Sequence, residues 1–119
     1  MIKDLHIYII NDKRFTYLYK MNLYITKSSR KHKKYDLLDN DKKYILSYGD
    51  SRYSDYTIHK DDARKQRYID RHRKNEDWSK SGIYTAGFWS RWTIWHLKTL
   101  EASIRDINKK ININVKVIT

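Results

Sequence analysis

The sequence predicts an α+β domain, in which a small antiparallel sheet of about four strands packs against about three helices. Two observations favour this class. Short β-prone runs follow one another between residues 22 and 48, and apolar residues recur at helical spacing between Leu100 and Ile111. The length of 119 residues suits one domain, and a hydrophobic fraction of 39% supports a modest core.

Residues 1–20 are expected to form an N-terminal extension to a single domain of residues 21–119. The extension contains two β-prone runs, HIYII and FTYLY, around a turn signal at residues 11–13, which predicts a β-hairpin. The alternative is that this stretch precedes the true start codon at Met21. The sequence leaves both interpretations open.

The first part of the domain is expected to be a three-stranded meander. Three β-prone runs predict its strands: residues 22–27, 35–38 and 43–48. A basic loop separates the first two strands, and the turn signal Asp39-Asn40-Asp41 separates the second from the third. Gly49-Asp50-Ser51 ends the meander, and a polar, Tyr-rich loop follows as far as Thr57.

Three helices are expected next. The first covers about residues 61–74, with acidic residues at its start and basic residues at its end, which complements the helix dipole. Thr85 caps a second helix at about residues 86–96, and Thr99 caps a third. The third carries the amphipathic repeat Leu100, Ile104, Ile107 and Ile111.

The C-terminal segment predicts one more strand. Ile111, Ile113, Val115 and Val117 alternate with polar residues, the pattern of a half-buried strand. We expect this strand to join the meander sheet.

The charge balance narrows the choice of partner. The chain has 26 Lys and Arg against 14 Asp and Glu, a formal net charge of +12. Such a charge favours nucleic acid, an anionic membrane surface or an acidic protein.

The absence of cysteine excludes disulfides and thiolate metal sites. No apolar stretch is long enough for a membrane span, and residues 1–10 lack a signal-peptide pattern.

Two basic segments are the main candidates for phosphate contacts. The loop contributes Arg30, Lys31, Lys33 and Lys34. The first helix contributes Arg64, Arg67, Arg71 and Lys74, whose spacing places them on one helical face. Arg91, in the Trp-rich segment, is a further candidate. The alternative is that both segments are solvated faces, the helix being partly neutralised by its own aspartates.

The tryptophans have two interpretations. The more ordinary one is that most of Trp89, Trp92 and Trp95 pack the core between helix and sheet. The other is that an exposed tryptophan stacks on a base or anchors a partner. Trp78 and Trp89 are the candidates for such a stacking or interface position.

A metal-dependent nuclease would need converging carboxylates and histidines. His59, Asp61, Asp62 and His72 prompt the question, but the first helix separates the two histidines, and both aspartates fit its first turn. No phosphate-binding Gly-rich loop, nucleophile elbow or Ser-His-Asp set is present. The sequence therefore predicts no catalytic residue, no metal and no cofactor.

Four short sequence motifs follow one another in a specific order: His59-Lys60-Asp61, Arg71-His72, Asn75-Glu76-Asp77-Trp78 and the run from Thr85 to Trp92. Their order and spacing resemble a small family of uncharacterised proteins of nucleocytoplasmic large DNA viruses, the giant viruses. The resemblance runs from about Asn22 to Thr119. It departs at His96-Leu97-Lys98, where the family is expected to carry proline. It implies a viral origin but no established activity.

Three functions are therefore open. The favoured one is a small basic protein of the virion or the virus factory in the host cytoplasm, which binds nucleic acid, DNA in the first place, without sequence preference. The alternative is a structural adaptor that binds an acidic virion protein. A nuclease or other enzyme is the least favoured, because the sequence assembles no converging polar pocket.

Overall fold

The computed structural model describes residues 20–118, in which a four-stranded sheet packs against four helical segments. The strands are β1 (Met21–Lys27), β2 (Lys33–Leu38), β3 (Tyr44–Asp50) and β4 (Ile113–Val117). The helices are α1 (Tyr56–His59), α2 (Asp62–His72), α3 (Ala86–Trp89) and α4 (Leu100–Ile111). The α+β class and the number of strands are confirmed. The predicted hairpin falls on residues 1–19, outside the described residues.

The sheet has the order β3-β2-β1-β4, and its first three strands form the predicted antiparallel meander. Asp39 holds the turn between β2 and β3, because its carboxylate accepts the backbone N–H groups of Asp41 (2.8 Å) and Lys43 (2.9 Å). The basic loop between β1 and β2 is closed by a 3.1 Å backbone hydrogen bond from Ser28 to Lys34. The loop is thereby fixed at one end of the sheet.

Strand β4 runs parallel to β1, so the sheet is mixed and the expected antiparallel arrangement is corrected at this pair. Helix α4 continues through Ile111, and Asn112 then turns the chain in a left-handed conformation (φ 54°). Ile113 starts β4 opposite Met21. A helical crossover is the usual connection into a parallel strand. Apolar alternation predicts which side chains are buried but not the direction of the strand.

Aspartate caps start both helices that follow the meander. Asp55 caps α1, and Asp61 caps α2 by accepting the backbone N–H groups of its second and third residues, at 2.9 and 3.2 Å. Helix α1 lies in a segment expected to be loop, because one turn carries no detectable hydrophobic period. Helix α2 ends at His72, two residues before the expected end at Lys74.

Helix α3 begins as predicted, with the Thr85 hydroxyl accepting the Phe88 N–H at 3.3 Å. A π-helical turn, Ser90–Ile94, extends it, so the helical segment ends two residues before the predicted end. A 3₁₀ turn, Lys80–Gly82, precedes it. A Cβ atom on Gly82 would lie 1.9 Å from the backbone oxygen of Asp77, so this close approach requires glycine.

The core lies between the sheet and the helices. Its sheet side chains are Leu23, Ile25, Leu37, Tyr48, Ile113 and Val115, and its helical side chains include Phe88, Trp89, Ile104 and Ile107. Burying each large apolar side chain contributes roughly 1.5–3 kcal/mol. Leu100 and Ile111 pack against the buried Ile104 and Ile107, so the predicted apolar stripe of α4 is confirmed as its core face. No helix within residues 20–118 has the length and apolarity to cross a membrane.

Candidate functional site

A cleft of about 500 Å³ opens beside the edge strand β3. The ends of β2 and β3 and the loop after β3 form one wall, and α2 with the α3 segment forms the other. The cleft therefore brings together the two basic segments that the sequence singled out. Their separation along the chain gave no indication of this proximity.

Three cationic side chains at the cleft have no partner in the part of the chain that the structure describes. Lys33 comes from the basic loop, and Arg64 and Arg71 come from α2. All three residues are exposed. Within residues 20–118 none of the three side chains makes a hydrogen bond or an ion pair. Arg64 and Arg71 are two helical turns apart, so both point to the same side of α2. These three remain the best candidates for binding an anion.

Lys34 has a different role from its neighbour, and its assignment as a phosphate ligand is corrected. Its ammonium group donates to the carboxylate of Asp55, which is only 2% exposed. The same carboxylate accepts the backbone N–H of Thr57 at 2.9 Å. Lys34 therefore neutralises a buried acid that fixes the start of α1, and its charge is not available to a ligand.

Among the residues that the structure describes, two acidic side chains line the cleft. Asp50 is neutralised by a bidentate pair with Arg52, with N–O distances of 2.8 and 3.0 Å. The hydrogen bonds from Arg52 hold the pKa of Asp50 well below its usual range. Glu76 is the second acid, and it opposes the binding of an anion. Within residues 20–118, the cleft charges that no ion pair with lysine, arginine or aspartate neutralises are therefore those of Lys33, Arg64, Arg71 and Glu76.

Glu76 is held by two side chains and lies close to Gly87. Its carboxylate accepts the indole N–H of Trp78 at 3.3 Å and lies 3.6 Å from Nδ1 of His72. A Cβ atom on Gly87 would lie 2.1 Å from Oε1 of Glu76. The absence of a side chain at Gly87 therefore allows the carboxylate to reach the first turn of α3.

One wall of the cleft is a column of stacked rings. The ring of Tyr68 lies 4.3 Å from that of Trp95 at an interplanar angle of 2°, and 4.3 Å from that of His72 at 28°. Burial raises the pKa of Tyr68. Tyr53, in the loop after β3, also lines the cleft and is 69% exposed. Aromatic surface is therefore available next to the cations.

Arg91 is packed into the protein, and its assignment as a phosphate contact is corrected. Its guanidinium carbon lies 4.4 Å from the ring centroid of Trp92 and 5.4 Å from that of Trp78. One terminal nitrogen donates to the Trp95 carbonyl at 2.9 Å. Burial lowers the pKa of Arg91. The side chain therefore joins three tryptophans and does not line the cleft.

The two tryptophans proposed for stacking differ in exposure. Trp89 is completely buried, and its indole N–H donates to the Ile83 carbonyl at 2.6 Å, so its assignment to an exposed stacking position is wrong. Phe88 and Trp89 are both completely buried and belong to the core cluster, which agrees with the more ordinary interpretation of the tryptophans. Trp78 is half-buried, outside the cleft lining, and its interface role stays a prediction.

Four other predicted basic residues lie on the surface outside the cleft lining: Arg30, Lys31, Arg67 and Lys74. The Arg30 guanidinium carbon lies 3.8 Å from the centroid of the Tyr44 ring. Lys74 lies in the turn after α2, so the predicted basic ridge is shorter than expected. These residues can extend an electrostatic surface, but they do not form the site itself.

The two aspartates at the start of α2 and the histidine before it serve the fold. Asp61 caps the helix, and Asp62 accepts the hydroxyl of Tyr56. Nδ1 of His59 accepts the backbone N–H of Asp61 at 2.9 Å. Burial, followed by the charge of Arg64, lowers the pKa of His59. Throughout residues 20–118, no group of three or more His, Cys, Asp or Glu side chains could hold a metal ion.

Sequence reasoning missed three residues of this region. Asp55 could have been recognised as a helix cap, because aspartate before a turn of helix is a typical start signal. Glu76 belongs to the motif Asn75-Glu76-Asp77-Trp78, but nothing in that motif indicates that its carboxylate lies close to Gly87. Tyr53 gives no signal, because its importance depends on the packing of the loop beside α2.

Residues 23–72 match the profile of a family of unknown function, DUF5754. The match covers less than half of the chain, and it contains most of β1 together with β2, β3, α1 and α2. It includes Lys33, Arg64 and Arg71 of the cleft but neither Glu76 nor Trp95. No curated protein and no solved structure matches the chain.

Proposed function

We propose that this protein binds nucleic acid without sequence preference, DNA in the first place, by contacting backbone phosphates at the cleft. The observation that carries the proposal is the convergence of Lys33, Arg64 and Arg71 on one cleft, where none of them has an ion-pair or hydrogen-bond partner among residues 20–118. Cations that serve the fold are paired or stacked in this protein, as Lys34 and Arg91 are. Cations from two distant segments that are unpaired among the described residues fit an anionic ligand instead.

Electrostatic contacts of this kind have a measurable signature. Each neutralised phosphate releases condensed counterions, so the binding constant falls as salt rises. Three contacts predict a slope of log K against log salt of about −2 to −3. Because the lysine and arginines contact phosphate and no base edge is required, sequence should have little effect on affinity.

The test is fluorescence anisotropy with a labelled oligonucleotide over a salt series. The variant Arg64→Glu/Arg71→Glu reverses two charges of the cleft and is expected to lose about tenfold or more of the low-salt affinity. The matched control is Arg105→Glu/Lys109→Glu, two exposed positions of α4 outside the cleft lining. It changes the net charge equally and should lose less than about threefold, because salt screens distant charges.

Equal losses in the two variants would show that net charge, rather than the cleft, drives binding. Absence of binding by the parent at low salt would reject nucleic acid as the ligand. The cations would then be assigned to the alternative function, a structural adaptor on an acidic protein surface. Such an adaptor would retain its partner in a pull-down after nuclease treatment.

The location proposed for this function is the virion or the cytoplasmic virus factory. The support for it is that the motifs between His59 and Trp92 resemble the giant-virus family. The net charge of +12 suits a protein that accompanies a polyanion.

A further inference from the structure

The geometry points to an unpaired base as the occupant of the cleft: we infer that the protein prefers single-stranded nucleic acid and stacks one base on its aromatic wall. The inference rests on the proposed function and names the form of its ligand. Charge alone would not favour a single strand, because a duplex releases more counterions for each phosphate contacted. The size of the cleft and its exposed rings distinguish between them.

The size of the cleft excludes a duplex from its interior. Sites for small ligands have volumes of roughly 300–1,000 Å³, and this cleft, at about 500 Å³, is in that range. The bases of a duplex are stacked and paired, and reaching a pocket requires flipping a nucleotide at a cost of a few kcal/mol. A single strand can present a base without most of that cost.

The exposed rings provide the stacking surface. The ring of Tyr68 stacks on the rings of both Trp95 and His72, and Tyr68 is buried within the column. The side chain of His72 is 43% exposed and lines the cleft, so a base can extend the column at its open end. Histidine and tyrosine are both used to stack unpaired bases.

Tyr53 supplies a second ring. Among the residues that the structure describes, its only ring contact is with Arg52, whose guanidinium carbon lies 6.0 Å from the ring centroid. A tyrosine that is 69% exposed contributes little to the core. Tyr53 lines the same cleft as Lys33, a position that suits a ring that packs on the ligand.

Cations and rings together form the combination that single-strand sites use. Lys33, Arg64 and Arg71 contact phosphates, while His72 and Tyr53 contact the base. Stacking tolerates any base, because every base has a π face. The combination therefore keeps the proposed lack of sequence preference and adds a preference for strand state.

The experiment compares three labelled ligands of equal length: a single strand, its duplex, and a strand of abasic nucleotides. The abasic strand keeps the phosphates and lacks the bases. The parent protein is expected to bind the single strand about tenfold more tightly than either of the others. Tyr53→Ala should lose about tenfold on the single strand and remain unchanged on the abasic strand.

Two controls sharpen the result. Tyr53→Phe keeps the ring and should therefore lose much less affinity for the single strand than Tyr53→Ala does. Tyr84→Ala removes a tyrosine that is similarly exposed but lies outside the cleft lining, and it should bind as the parent does. Both substitutions are at exposed positions, so the variants are expected to fold.

Equal affinity for the three ligands overturns the inference and leaves the proposed function standing, because phosphates alone would then explain binding. Tighter binding of the duplex overturns it as well. Binding to none of the three rejects the proposed function itself. A loss in Tyr53→Ala that is equal on the single and abasic strands overturns the stacking step.

Discussion

Neighbouring cations of this chain lie in two different regions, one open and one packed. Lys33 and Arg64 stand exposed at the cleft without an ion pair among the described residues. Lys34 and Lys65, the next residue in each case, are held inside the fold. Lys34 pairs with Asp55, while Lys65 donates to the His96 carbonyl and lies 4.8 Å from the ring centroid of Tyr56.

The difference follows from the geometry of strand and helix. Successive side chains of a strand point to opposite faces, and successive side chains of a helix are about 100° apart. A basic dipeptide in either element therefore divides between solvent and protein. Burial lowers the pKa of Lys65, as expected for a cation taken partly out of water. A count of basic residues thus exaggerates the surface available to an anion.

The largest effect predicted from this comparison concerns Lys34 and Lys33. Lys34→Ala leaves the carboxylate of Asp55 buried without its cation, and such a loss costs about 3–5 kcal/mol of unfolding free energy. Lys33→Ala, at an exposed position, should change stability by less than about 0.5 kcal/mol. Its effect should instead be weaker binding of nucleic acid. Urea unfolding and anisotropy measure the two quantities.

The double variant Lys34→Met/Asp55→Asn is the control for this pair. It removes both charges and keeps a side-chain oxygen that can accept the Thr57 N–H, so it should be more stable than Lys34→Ala alone. If Lys34→Ala and Lys33→Ala had similar unfolding free energies, the ion pair with Asp55 would not distinguish the packed region from the open one.

The packed region also predicts a pH dependence of stability. His96 is 8% exposed, and Nε2 lies 2.6 Å from the carboxylate of Asp106. Burial lowers the pKa of His96 below 6.5, although the hydrogen bond with Asp106 acts in the opposite direction. As the pH falls below about 6.5, the unfolded chain therefore takes up the proton first, and stability decreases. The expected result is a melting temperature that falls from pH 7 towards pH 5.

His59 adds to this trend, because its pKa is also lowered, and the substitution His96→Gln should flatten the decrease without abolishing it. Asp106 contributes at lower pH. Its pKa is lowered by the hydrogen bonds from His96 and Lys110, so its stabilisation is lost as the pH falls below about 3.8. A slope between pH 7 and pH 5 that His96→Gln leaves unchanged would contradict the assignment to His96.

The elements of the fold could be predicted from sequence where a local rule was sufficient. The repeat from Leu100 to Ile111 predicted α4, and the signal Asp39-Asn40-Asp41 predicted the turn between β2 and β3. Helix α1 could not be found in the same way, because one turn has no period. The direction of β4 depends on how α4 crosses the sheet, which the strand's own pattern does not contain.

The candidate site could be predicted only in part. Lys33, Arg64 and Arg71 were among the expected phosphate contacts, since basic residues in a loop and on one helical face are visible in the sequence. Their convergence on one cleft depends on the tertiary packing of α2. The ligand-binding roles predicted for Lys34, Arg91 and Trp89 were wrong for a related reason. Whether a long side chain next to the core is exposed or packed depends on partners distant in sequence.

The smallest predicted effect tests whether the charge inside the cleft matters by its position. Glu76→Gln removes the one acid of the cleft that lacks a lysine or arginine partner, and it keeps an oxygen for the indole N–H of Trp78. We expect nucleic-acid affinity to rise about two- to fivefold at low salt, the usual scale of a single partly exposed charge, and the gain to disappear at high salt. The matched control is Asp70→Asn, an exposed acid of α2 outside the cleft lining that bonds Gln66. It removes the same charge and should have a smaller effect in the same anisotropy assay. If both substitutions raise the affinity equally, the ligand senses the charge of the whole protein, and the open cleft has no advantage over the rest of its basic surface.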